Sequence, residues 1–236
     1  MIQVSRYSSR RCMLRAWLVI SAVVTLIGCG GLPMQAKLPV ELRTPATLWQ
    51  PLERREALRA LSPEERIRYC PDYLKTLLPP LLPNVQLIGV LTNYNSVAQA
   101  FVSAIANLLP YAVAFGGQED TERLYAYLVK ASESKSFLIR SGNSFGISGY
   151  SPDNEPTYVQ ALMLIPLSLA YDYLSQVYGR NDAGIVKIKH WGDAIAESVR
   201  RSGDQLQKGY DRWAGKAAGV SLWGVVSGSR PVLEAG

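Results

Sequence analysis

The sequence predicts a mainly α protein of helical hairpins, on three observations. Period-2 alternation is nowhere sustained, so a strand reading has no pattern to rest on. Two long apolar stretches, residues 97–115 and 157–178, have the length of helices rather than strands. Each is followed by a segment whose apolar residues recur at helical spacing, which is how an antiparallel helix pair reads in sequence.

Residues 1–28 are read apart from the fold. Arg6, Arg10, Arg11 and Arg15 precede an uncharged apolar run, 16–28, that is short of the roughly 20 residues a bilayer span needs, so the pattern is an export signal. Ser9-Arg10-Arg11-Cys12-Met13-Leu14-Arg15 fits either a twin-arginine signal or an ordinary secretory n-region. Leu26-Ile27-Gly28-Cys29 resembles a bacterial lipobox. In that reading Cys29 becomes a diacylated N-terminus, and acyl chains at about 0.8 kcal/mol per buried methylene hold the protein on a membrane. The expected organisation is a signal peptide over 1–28, a lipidated cysteine and tether over 29–55, and a helical domain over 56–236.

The signal holds four of the 25 basic residues and none of the 19 acids, so the remaining 208 residues carry a formal charge of +2 instead of +6. No basic patch is left to argue for nucleic acid as a partner. Cys70 is then the one cysteine besides the acylated Cys29, so no intramolecular disulfide forms, and neither a CxxC nor a Cys/His framework points to a metal or other cofactor.

Within the domain, Ser62-Pro63-Glu64-Glu65 has a capping residue, proline at the first helical position and acids in the first turn. Residues 76–118 contain no charge. The 97–115 segment inside them reads as a helix apolar on all sides, bent or ended near Pro110, either buried or spanning a membrane; Gln99, Ser103 and Asn107 favour burial. Asp120 can cap a helix to about Phe137, with Leu124, Tyr127, Leu128 and Ala131 on one face. Residues 140–155 form a long loop rich in Gly, Ser, Asn and Pro, the kind that is often functional. The helix over 157–178 contains Pro166, which should kink it. Asn181 or Asp182 caps the next helix, whose stripe is Ile185, Ile188, Trp191, Ile195 and Val199. A Gly-rich tail follows from Gly203.

Three chemistries are readable. Gly142-Asn143-Ser144-Phe145-Gly146 fits the G-x-S-x-G elbow, with Asp172, Asp182 and His190 downstream in hydrolase order; the elbow needs a strand-to-helix turn, and a helix end precedes it here. His190, the only histidine, is either a general base or a helix-surface residue. The many tyrosines either face sugar rings or form an amphipathic core rim.

The pattern LSLAYDYLSQVYG, a short polar loop, and then IKHWGDAIAESVRRS resembles the alginate lyases and related polysaccharide lyases of the α/α-toroid fold. The resemblance covers about half the chain, residues 121–223. It implies a partial α/α-toroid, because such a domain continues through further helices beyond the position of Gly236. It also implies an acidic (uronate) polysaccharide as partner and β-elimination as the reaction: a side chain neutralises the sugar carboxylate, a base takes the C5 proton, and an acid protonates the leaving oxygen. Where the family carries Asn-Asn-His and aromatics, this chain has Gly209-Tyr210-Asp211-Arg212-Trp213-Ala214. The resemblance therefore points to Tyr210 and Arg212 as the catalytic candidates, with Asn143, Tyr150 and Tyr158 as substrate contacts. The alternative is a non-catalytic helical lipoprotein that binds glycan or protein partners at the cell envelope.

Overall fold

The computed structural model describes residues 50–65, 78–83, 91–114, 118–138, 156–201 and 210–235. The helices are α1 (Pro51–Arg59), α2 (Leu91–Ala114), α3 (Gln118–Glu133), α4 (Pro156–Tyr178), α5 (Ala183–Arg201), α6 (Tyr210–Ser227) and α7 (Arg230–Ala235). The chain is mainly α, as its periodicity predicts, and no strand occurs among the described residues.

Contacts between helices sort into two layers. In the first, α2 packs on α4 and α4 on α6; in the second, α3 packs on α5 and α5 on α7. The hairpins α2–α3, α4–α5 and α6–α7 join the layers, and α1 lies against α2 and α4. Among the described residues this is an open stack of three hairpins in which α4 separates α2 from α6. Helices within a layer run parallel. Tyr158, Ala161 and Tyr171 of α4 meet Gly215, Gly219 and Trp223 of α6 in that order. Likewise Tyr125 and Glu133 of α3 meet Gly184 and Lys187 of α5.

The central helix follows from its composition. Sixteen of the 23 residues of α4 are buried, because neighbours cover it on three sides. By contrast, α2 buries one face only: Ala98, Phe101, Ile105, Leu108, Leu109 and Ala112 enter the core. Its Ser96–Val113 stretch is long and apolar enough to cross a membrane, and 44% of it is buried inside the fold. Ser96, Gln99, Ala100, Ser103, Ala106 and Pro110 line the exposed face. The helix runs through Pro110 instead of stopping there. The carbonyl that loses its donor belongs to exposed Ala106, where water can replace the missing N–H. The chain likewise stays helical through Pro166 to Tyr178.

The core is organised around Phe101, whose ring centroid lies 5.0 Å from Phe137, 5.6 Å from Tyr127 and 6.0 Å edge-on from Trp191. Aromatic pairs at these separations contribute about 0.5–1.5 kcal/mol each beyond the area they bury. The indole Nε1 of Trp191 donates to the Ser136 carbonyl at 2.7 Å, so the ring enters the core with its polar edge satisfied. The apolar stripes read from sequence on α3 and α5 are the buried faces observed.

Helix ends follow local chemistry. Ser62 and Glu65 form a reciprocal capping box, with Ser62 N–H donating to Glu65 at 2.9 Å and Glu65 N–H donating to Ser62 at 3.2 Å. Asp120 lies inside the first turn of α3 rather than capping it; with Glu119 it complements the positive end of the helix. That helix ends at Glu133, four residues short of the sequence expectation. Lys135 and Phe137 take φ of 52° and 60°, and the Ser136 N–H closes back on the Ala131 carbonyl at 2.9 Å. This left-handed exit turns fully buried Phe137 into the core, where its N–H donates to Leu82 and its carbonyl accepts from Gln160. Tyr127 donates to the Pro79 carbonyl at 3.0 Å, so the 78–83 segment is held at two points.

Asp182 is the cap of α5. Its Oδ1 accepts from the N–H groups of Gly184 and Ile185 at 2.9 and 3.0 Å, and from the Tyr125 hydroxyl. Giving up that proton beside the carboxylate is unfavourable, so the Tyr125 phenol is pushed up to about 12, and the same bonds hold the Asp182 carboxyl below its usual range. A depressed carboxyl contributes stability that is complete above its unfolded pKa and lost as pH falls through its folded pKa. Asp182→Ala is therefore expected to cost about 1 kcal/mol at neutral pH. Denaturant titrations of both proteins should converge as pH falls below about 4. A difference that persisted unchanged into acid would exclude the carboxylate as its source.

Candidate functional site

The close approach of α4 and α6 sets the geometry. Gly215-Lys216-Ala217-Ala218-Gly219 spaces two glycines one helical turn apart. A Cβ on Gly215 would lie 3.1 Å from Tyr158 Cε2, and one on Gly219 would run into the backbone carbonyl oxygen of Ala161. Only hydrogen fits at Gly219, and the two helices meet there backbone to backbone.

That contact brings the predicted residues near one another. Tyr158 stands in the first turns of α4, half-buried, with its ring against Gly215. Tyr210 and Arg212 belong to the opening turn of α6, directly ahead of Gly215 along the helix. Since α4 and α6 are parallel neighbours, their N-terminal ends share one end of the stack. Asn143, Tyr150 and Ser144 lie outside the described residues, as does Cys29.

Charge is distributed unevenly. Across the whole of α2 and α4 the only charged residue is Asp172, which is fully buried and accepts from Gln176 Nε2 at 3.0 Å. Charge enters the first layer through α6, at Asp211, Arg212 and Lys216. The second layer is covered with ion pairs, including Lys187 to Glu133, Lys189 to Asp193, and Arg200 and Arg201 to Glu197. Those two arginines hold the Glu197 carboxyl down to about 2. On α4, Tyr158, Leu162, Ile165 and Leu169 form a half-buried stripe at 4-3-4 spacing. An aromatic and aliphatic strip beside a helix that carries cations can pack a sugar ring face and pair its acid group.

Among the described residues, the acids and the histidine of the hydrolase reading stand apart. His190 is exposed on α5, in the second layer. Asp182 is engaged as a helix cap about 12 Å along the axis from it, and Asp172 is buried within α4. The glycine pair and Leu162 were not among the residues expected at the site, although the small-xxx-small spacing of Gly215 and Gly219 is visible in the sequence.

By fold the described part of the chain is a two-layer stack of α-hairpins whose helices α2 and α4 carry a single, buried charge, Asp172. Comparison with family models, curated proteins and solved structures gives no match.

Proposed function

We propose that this is a lipid-anchored envelope protein of the alginate lyase-like type, whose hairpin stack binds an acidic, uronate polysaccharide at the common N-terminal end of α4 and α6. The observation that carries the reading is the packing of Tyr158 on Gly215. It puts the start of α4 beside the turn of α6 that holds Tyr210 and Arg212. Arg212 and Lys216 supply cations to a layer whose other helices, α2 and α4, carry only the buried Asp172, which suits a polymer of sugar rings with one carboxylate each.

The corresponding chemistry is β-elimination. Arg212 pairs with the uronate carboxylate and stabilises charge that develops on it. The C5 proton passes to a base, the C4–O bond breaks, and a C4–C5 double bond forms. Tyr210 protonates the departing oxygen. The export signal and Cys29 place this activity at the envelope, in the periplasm or on the cell surface, with the outer membrane as the anchor site in a Gram-negative cell.

A panel of uronic-acid polymers tests this by ultraviolet absorbance of the unsaturated product. Absorbance that grows with one polymer and is lost in Tyr210→Phe is the expected result; no signal with any polymer removes the enzyme reading. The alternative, a lipoprotein that binds glycan or protein without cleaving, is favoured by one observation: the only histidine, His190, is an exposed residue of α5, in the second layer. Retention of a uronate polymer without absorbance selects it.

A further inference from the structure

The docking of α1 is chemically incomplete. Pro51 is the only buried residue of this nine-residue helix, and Leu52 remains exposed. Half-buried Arg55 donates from Nη1 to the Tyr173 hydroxyl of α4 at 3.3 Å. Tyr173 is fully buried and already shares a 2.9 Å hydrogen bond with buried Thr121 of α3. The Nε of Arg55 is buried with no hydrogen-bond partner. A guanidinium is thus partly desolvated for one long bond to a neutral hydroxyl. A buried donor without a partner costs about 1–3 kcal/mol, and a helix of this length has little stability of its own.

Downstream the chain is fastened separately. The Pro79 and Leu82 carbonyls accept from Tyr127 and from the Phe137 N–H, so the hairpin stack is closed without α1.

We propose that α1 is a detachable strap, docked on the stack through Pro51 with Arg55 as its weak point, and released from it without unfolding α2–α7. Release uncovers the side of α2 that α1 covers and leaves the Tyr173–Thr121 pair intact. It also lengthens the segment between the stack and Cys29. About nine residues pass from roughly 14 Å of helix to at most about 30 Å of extended chain, which changes how far from the membrane the stack can stand. Only that last consequence rests on the lipid anchor; release itself does not.

Native-state hydrogen exchange on the full chain tests the strap. The amides of Arg54 to Ala60 report on α1, since Arg54 N–H and Ala60 N–H donate to Gln50 and Glu56. They should exchange at least about 100-fold faster than the amides of buried α4, with little dependence on denaturant. Arg55→Met removes the unpartnered buried donor and should slow α1 exchange about tenfold while leaving α4 unchanged. Exchange of α1 in step with α4, with the same denaturant dependence, overturns the proposal. So does faster α1 exchange in Arg55→Met, which would make the arginine a net holder rather than a weak point.

Discussion

Gly219→Ala should destabilise the protein by about 3 kcal/mol, the upper part of the range for overpacked helix contacts. The added methyl meets the Ala161 carbonyl oxygen, which belongs to the backbone of the most buried helix and has no rotamer into which to move. The helices must separate, and Tyr158 loses its seat on Gly215. For a chain of this size the loss corresponds to about 6–12 °C in Tm. Ala217→Gly, on the same helix at a half-exposed position, changes propensity without the clash and should cost about 1 kcal/mol. Thermal unfolding of the two variants separates close approach from helix propensity. Equal shifts would show that the α4–α6 contact is not backbone-limited.

Trp223→Ala should cost about 4 kcal/mol, as for other fully buried aromatics. Trp223 is 0% exposed, its ring lies 5.1 Å from that of Tyr171, and its Nε1 donates to Asp193 at 2.9 Å. It joins α6 to both α4 and α5. A second substitution gives the assignment a sharper form. A Cβ on Gly192 would collide with the six-membered ring of Trp223, so Gly192→Ala is destabilising in the natural protein. With the ring gone, the same methyl enters the cavity and gains about 1 kcal/mol of helix propensity. Gly192→Ala should therefore change sign in the Trp223→Ala background, a coupling that denaturant unfolding of the four proteins measures directly. Additive effects would mean that the ring does not occupy the space over Gly192.

The elements that sequence predicts well are those whose local chemistry agrees with their packing. The stripe from Ile185 to Val199 marks the buried face of α5, Asp182 caps it, and Ser62 with Glu65 forms the box their spacing suggests. Other elements are set by tertiary contacts that no local pattern encodes. α1 is polar on nearly every side and reads as tether, yet it is a helix from Pro51, inside the 29–55 segment. The glycines of α6 lower its helix propensity and make it read as a Gly-rich tail, yet at Gly219 the missing side chain is what admits α4. Lys135 and Phe137 adopt a left-handed turn usually given to glycine, because Leu82 and Gln160 fix the exit of α3 from elsewhere in the chain. For the candidate site, the sequence supplied Tyr158, Tyr210 and Arg212 as residue types. Their proximity depends on α4 and α6 being parallel neighbours, which spacing along the chain does not reveal.

The claim that an acidic glycan sits at the shared N-terminal end of α4 and α6 is tested most directly by calorimetric titration with a uronate oligosaccharide, run beside a neutral oligosaccharide of equal length. The natural protein should bind the acidic ligand alone. Arg212→Ala should weaken it about tenfold or more, the loss of one charge-assisted hydrogen bond, with Tm unchanged. Equal binding of the neutral ligand, or acidic binding that Arg212→Ala leaves intact, would contradict the account.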